Sequence, residues 1–375
     1  MTQTASATTL KDVFTAAVAT YGGKDAPRLG NQWTLLSMDE ISKVDSSLSA
    51  TMKSVGFSGQ VNVNLQTGEI IIADRGTDNL KNLVTDAGVA VDTIANSQQV
   101  AESFARAGLI AAQTKLKQAG VQLSAVYTTG HSLGGAESEM QAGMLSCATD
   151  SKGTPLVPIG VPITNVSLDA PGIAGLANRG DRDRYASYNF SSQGDVVHLS
   201  GGNDLNGTTE VSLPVGPPMW STAGLIVGGA AVAAAAPGPG WLAGAVMTME
   251  GLDNAAHAHS SELFHNATNN TALGDVSMPQ LHAGMSSSQL QDLFQASQSQ
   301  YRAVADTTSA VAASAGFGPD RNNAMSFGLF GLDENGKIDP ALAKDSAGHA
   351  ATDVDQWLEA NGYRERTQPQ PKFSM

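Results

Sequence analysis

A mostly parallel β-sheet covered by helices on both faces is the architecture that this 375-residue sequence predicts. Three observations point to it. Short apolar strand candidates alternate with helical stretches, which implies crossover connections and a sheet buried on both sides. One strand candidate, residues 125–129, runs through a glycine-rich turn straight into a helix. Hydrophobic residues make up 41% of the chain, enough to fill the core that such a sheet needs.

The elements follow in order. Leu10, Val13, Phe14, Ala17 and Val18 share one stripe of a helix over residues 9–21, and Gly22 stands where that helix would end. Residues 58–73 alternate, turn at Thr67-Gly68 and become a continuous apolar run, the pattern of a hairpin whose second strand is buried on both faces. Val100, Phe104, Ile110 and Leu116 lie near helical spacing over 97–117, and Gly120 stops that helix. After the strand at 125–129 comes a helix over 135–147, then two short strands at 165–169 and 186–190. Beyond residue 285 the pattern changes to helices over 287–315 and 341–361, the second with Asp339 as N-cap and Pro340 at its first position. The chain therefore divides into a sheet domain over 1–285 and a helical C-terminal extension over 286–375 packed on it, with a disordered tail from Thr367.

Composition narrows the function. Lys plus Arg number 21 against 35 for Asp plus Glu, a formal net charge of −14. A nucleic-acid binder that works by bulk charge is excluded, as is a polybasic lipid anchor. The single cysteine, Cys147, excludes an intramolecular disulfide and any cysteine-built zinc or iron–sulfur centre. The N-terminus lacks the basic and apolar regions of a Sec signal peptide, so the expectation is a cytoplasmic protein or one exported by another route. Residues 211–249 hold no charged side chain, but five prolines divide them, and the longest proline-free piece, 219–236, is rich in Ala and Gly. This reads as an apolar helical insert, either core or a flap over an apolar site, rather than a membrane span. If it is a flap, Leu225 and Val232 are its substrate-contacting residues.

The chemistry is carried by Gly130-His131-Ser132-Leu133-Gly134, a G-x-S-x-G pattern between a strand and a helix. The glycines of such an elbow permit a sharp turn that presents the serine oxygen at the sheet edge and at a helix N-terminus, where negative charge is favoured. Upstream, Arg75-Gly76-Thr77-Asp78 directly follows the buried strand. Acyl transfer needs a second oxyanion donor besides the N–H of the residue after the nucleophile, here Leu133, and Thr77 is a candidate.

The segments IIIADRGTD, TTGHSLGGA, NVSLDAPGIAG and SYNFSSQGDVVHLSG, in that order, resemble the class 3 lipase family of α/β-hydrolases over roughly residues 55–265. The resemblance implies an α/β-hydrolase fold, a Ser132 nucleophile, Asp195 as triad acid and a lipid or ester substrate. Two departures stand out: the segment after Asp169 lacks the family's phenylalanine-glycine lead-in, and the uncharged stretch at 211–249 has no counterpart in the family pattern.

The base must follow the acid in this chain order, which leaves His198, His257, His259, His265, His282 and His349. His198 is too close to Asp195 to turn towards Ser132. His259 opens HSSELF, similar to the histidine and short helix of bacterial relatives, and is the first choice, with His257 next and His265 or His282 behind. His257-Ala258-His259 is also a metal-ligand spacing, but only Asp253 and His265 are at hand to complete it. Residues 333–337 match part of a calcium loop, yet Gly331 and Leu342 stand where carboxylates belong, so an Asn-Gly turn is expected. The expectation is thus a cofactor-free, metal-free serine hydrolase of lipid esters that touches membrane surfaces transiently. Its alternatives are a secreted lipase effector with a chaperone or immunity partner and a silent scaffold.

Overall fold

Seven strands form one sheet whose spatial order is the order of the chain. They are β1 (Trp33–Leu35), β2 (Gly59–Asn64), β3 (Glu69–Asp74), β4 (Ala125–His131), β5 (Ile163–Leu168), β6 (Tyr185–Ser192) and β7 (Thr209–Leu213). The first two pairings are antiparallel and the remaining four parallel. The computed structural model describes residues 7–22, 26–76, 87–173, 182–192, 195, 207–215 and 259–296. All of these belong to the compact unit formed by residues 1–216 and 259–301. The rest of the expected insert, 216–249, with Leu225 and Val232, lies outside the described residues, as do 297–375, with the remainder of the helix expected over 287–315, the helix over 341–361, the turn and the tail.

A sheet that grows in one direction by right-handed crossovers receives its connecting helices on one face. The helices α4 (Ala87–Ala119) and α5 (Leu133–Cys147) lie there together. Val61, Val63, Ile70, Ile72, Val126 and Ile163 meet Ala101, Phe104, Leu109, Ala142 and Leu145 in a single core. Polar contacts mark the same face, since Asn165 of β5 meets Ser138 of α5, and Ser187 of β6 meets Glu139.

The opposite face is covered by an N-terminal helix and by helices that follow residue 259. From the N-terminal side comes α1 (Leu10–Ala19), whose stripe Leu10, Val13, Phe14, Ala17 and Val18 is buried as its spacing predicts. Asp12 caps it, its carboxylate accepting from the Thr9 N–H at 2.9 Å. From the C-terminal side come α6 (Ser261–Asn270), α7 (Met278–His282) and α8 (Ser287–Ala296). Phe14 stacks edge-on against Phe190 of β6 and Phe264 of α6, which ties both helices to the sheet. On this face Tyr188 donates to the Leu281 carbonyl at 2.7 Å.

Several boundaries differ from expectation. The helix expected over 97–117 begins ten residues earlier. Residues 211–213 are the end of β7, with Val211 and Leu213 buried, so the uncharged stretch starts inside the sheet rather than as a helical insert. The short elements β1, α2 (Met38–Ser42) and α3 (Leu48–Val55) carry no periodic signal long enough to read from sequence.

Candidate active site

The turn from β4 to α5 is a strained elbow. Ser132 has φ 61° and ψ −131°, a region that costs a non-glycine residue about 1–3 kcal/mol and persists only when its surroundings impose it. The Ser132 N–H donates to the Leu168 carbonyl at the end of β5, at 2.8 Å. Its carbonyl accepts from the N–H groups of Gly135 and Ala136, which starts the helix. Gly130 makes the turn sterically feasible, since a Cβ there would stand 2.2 Å from the Gly134 carbonyl oxygen. Leu133 is the first helical residue, so its N–H has no intrahelical acceptor. Ser132 Oγ is buried and has no hydrogen-bond partner among the described residues.

The turn after β3 packs directly on this elbow. A Cβ on Gly76 would come within 2.4 Å of the His131 carbonyl oxygen and 2.8 Å of Ser132 Cβ. Thr77 itself lies outside the described residues, and Gly76 brings the chain to its doorstep.

His259 and Asp195 meet beside the elbow. Nδ1 of His259 lies 2.9 Å from Oδ1 of Asp195, with both side chains fully buried. Nε2 of His259 is buried and unpartnered among the described residues, as is Ser132 Oγ. The imidazole of His259 stands 4.7 Å, centre to centre, from that of His131, the residue just before Ser132. The Nδ1 of His131 is hydrogen-bonded to Tyr21 OH at 2.7 Å. Burial holds His131 well below the usual histidine range, aided by His259, so its ring is neutral at physiological pH. The other candidates lie elsewhere. His265 pairs with Asn269 in its own helix, and His282 bonds Thr164 near the start of β5, the end of the strand opposite to the elbow. His198, His257, His349 and Asp253 lie outside the described residues.

One residue of the site has no role in the sequence reading. Asp169, directly after β5, has φ 46° and a fully buried side chain. Its Oδ1 accepts from the Ser192 N–H at 2.7 Å, and its Oδ2 lies 3.9 Å from His259 Nδ1. Burial, and after it the charge of Asp195, hold the Asp169 carboxyl far above the usual carboxylate range. The available signal was an aspartate closing an apolar strand before Ala170-Pro171, at a point where the chain turns and Asp tolerates positive φ.

His131, Asp169 and His259 each bring one potential ligand atom within 4.8 Å of the others, the only such grouping among the described residues. The nitrogen of His259 that approaches Asp169 is Nδ1, which Asp195 already holds. A cation between them would have to break that bond. The donor set is therefore better matched to a proton relay than to a metal.

A mixed sheet in chain order, flanked by helices and carrying a strained serine at the strand-to-helix turn of β4, decides the fold. It is an α/β-hydrolase fold. No family model matches the sequence, and no curated protein does. Among solved structures, the Lip2 lipase of Yarrowia lipolytica is similar at 16% identity and a TM-score of 0.33, over 56% of this chain and 79% of that one. A triacylglycerol lipase of Penicillium expansum is similar at 13% identity and a TM-score of 0.31, over 46% and 78%. The triacylglyceride lipase of Rhizomucor miehei follows at 15% and 0.30, over 48% and 82%. At such values the likeness says nothing of chemistry.

Proposed function

We propose that the chain is a serine hydrolase of carboxylic esters, with lipid esters as its substrate class. The observation that carries this reading is the buried Asp195–His259 pair beside a strained, buried Ser132. In the reaction, Ser132 Oγ attacks the ester carbonyl while His259 Nε2 takes its proton and then delivers it to the leaving alcohol. Asp195 accepts from Nδ1–H, which fixes the tautomer and balances the imidazolium that forms. The tetrahedral oxyanion takes the Leu133 N–H and the donors of Thr77. Water then attacks the acyl-enzyme by the same relay in reverse. If the uncharged sequence over 216–249 is a flap rather than core, Leu225 and Val232 within it are the candidates for the apolar surface that a long acyl chain requires.

Hydrolysis of p-nitrophenyl esters by the full chain tests this reading. Ser132→Ala is expected to lower kcat by several orders of magnitude with an unchanged circular dichroism spectrum, because the elbow glycines remain. Retained turnover in that variant would overturn it.

A further inference from the structure

The relay above uses one carboxylate, yet two converge on His259. We propose that Asp169, in its acid form, donates a hydrogen bond to Asp195 and so is a positioning residue that holds the Asp195 carboxylate against His259. This inference rests on the Ser132–His259–Asp195 reading and adds a fourth group to it.

The geometry leaves little else for Asp169 to do. His259 Nδ1 has a single proton, and Asp195 takes it at 2.9 Å, while Asp169 Oδ2 stands off at 3.9 Å. One oxygen of Asp169 is satisfied by the Ser192 N–H; the other is fully buried with no donor among the described residues. A buried carboxylate oxygen without a donor is costly, but the same oxygen carrying a proton is itself a donor. Among the described residues, the titratable groups that face Asp169 are Asp195 beyond β6, His259 ahead of α6 and His131 at the end of β4. Among the described residues no lysine or arginine is paired with Asp169 to balance a second negative charge, and His131 is neutral. Two like charges in such a site do not ionise together.

The charge count has a catalytic consequence. With the proton on Asp169, the pair carries one negative charge, and the imidazolium formed during acylation is neutralised once. With the proton lost, two charges would oppose each other and the Asp195–His259 bond would be pushed out of line.

The test is the pH dependence of kcat for wild type, Asp169→Ala, Asp169→Asn and Asp195→Asn, with melting temperature measured in parallel. Asp169→Ala is expected to lose about 10–100-fold in kcat with KM little moved. Asp169→Asn, whose amide can donate to Asp195 permanently, recovers most of that loss. It also extends the plateau to higher pH, because the wild type has an alkaline limb set by loss of the Asp169 proton. Asp195→Asn remains far worse than either. If Asp169→Ala lowers only the melting temperature, or if Asp169→Asn shifts the acidic limb downward by a unit or more, as loss of a second anion on His259 would, the inference fails. It fails equally if Asp169→Asn and Asp195→Asn are alike. Activity surviving in Ser132→Ala would instead overturn the triad reading itself, so the two failures are told apart.

Discussion

Ser132 and Gly76 show how closely the site depends on single backbone positions. Gly76 has no room for a methyl group, being wedged between the His131 carbonyl and Ser132 Cβ. Gly76→Ala is therefore expected to displace the turn that leads to Thr77 and to cost about 10²–10³ in kcat, the usual loss when an oxyanion donor is misplaced. Steady-state kinetics beside a thermal melt checks this, and a variant with unchanged kcat would separate that turn from the reaction. His259 against His257 is decided in the same way: His259→Ala should remove turnover and His257→Ala should leave it. At this scale motif, family resemblance and chain order made Ser132, Asp195 and His259 the candidates; His259 pairs with Asp195, and its ring lies beside His131, the residue before Ser132. Tyr21 and Asp169 were not legible, because each reaches the site from another element through side-chain geometry and neither belongs to a spaced pattern.

Between β3 and α5 lies a second buried acid pair with consequences for stability. Asp74 closes β3 and Glu137 stands in the second turn of α5, both buried. Burial pushes the Glu137 carboxyl up from 4.5 to about 8, although the Ser97 hydroxyl donates to it. Asp74 is raised by burial and then by the charge of Glu137. Between pH 4.5 and 8 the folded chain binds more protons here than the unfolded one, so stability falls as pH rises through that window and is fullest below it. Glu137→Gln keeps the acceptor for Ser97 and removes the titration. It is expected to flatten the fall and to raise stability at pH 8 by on the order of a few kcal/mol, read from denaturant melts between pH 5 and 9. Elements with a long period or a paired turn were legible from sequence, as α1 and the β2–β3 hairpin show. The three-residue β1 was too short to register, and β7 was hidden because its last residues open the uncharged run.

Across the described residues, the crossover helices cover one face of the sheet, and the other is closed by α1 and the helices after residue 259. That closure positions the base, since His259 immediately precedes α6 and Phe264 of α6 packs on Phe14. Phe14→Ala is accordingly expected to cost about 3–5 kcal/mol of stability and to lower kcat as well, by loosening α6 and with it His259. Melts and kinetics on one preparation check both. A stable variant with reduced kcat, or a destabilised one with full kcat at low temperature, would contradict this coupling. The alternation of strands and helices made the sheet legible in advance. The covering of its second face was not, because it joins residues 10–19 to 261–270, a contact that no local pattern records.

The central claim is that Ser132 is a nucleophile activated by His259 and Asp195. Labelling the full chain with a fluorophosphonate and locating the adduct by mass spectrometry tests it most directly. One adduct per chain, on Ser132, absent from Ser132→Ala and greatly slowed in His259→Ala, is the expected result. No adduct on the folded wild type, or the same labelling in Ser132→Ala, would contradict it.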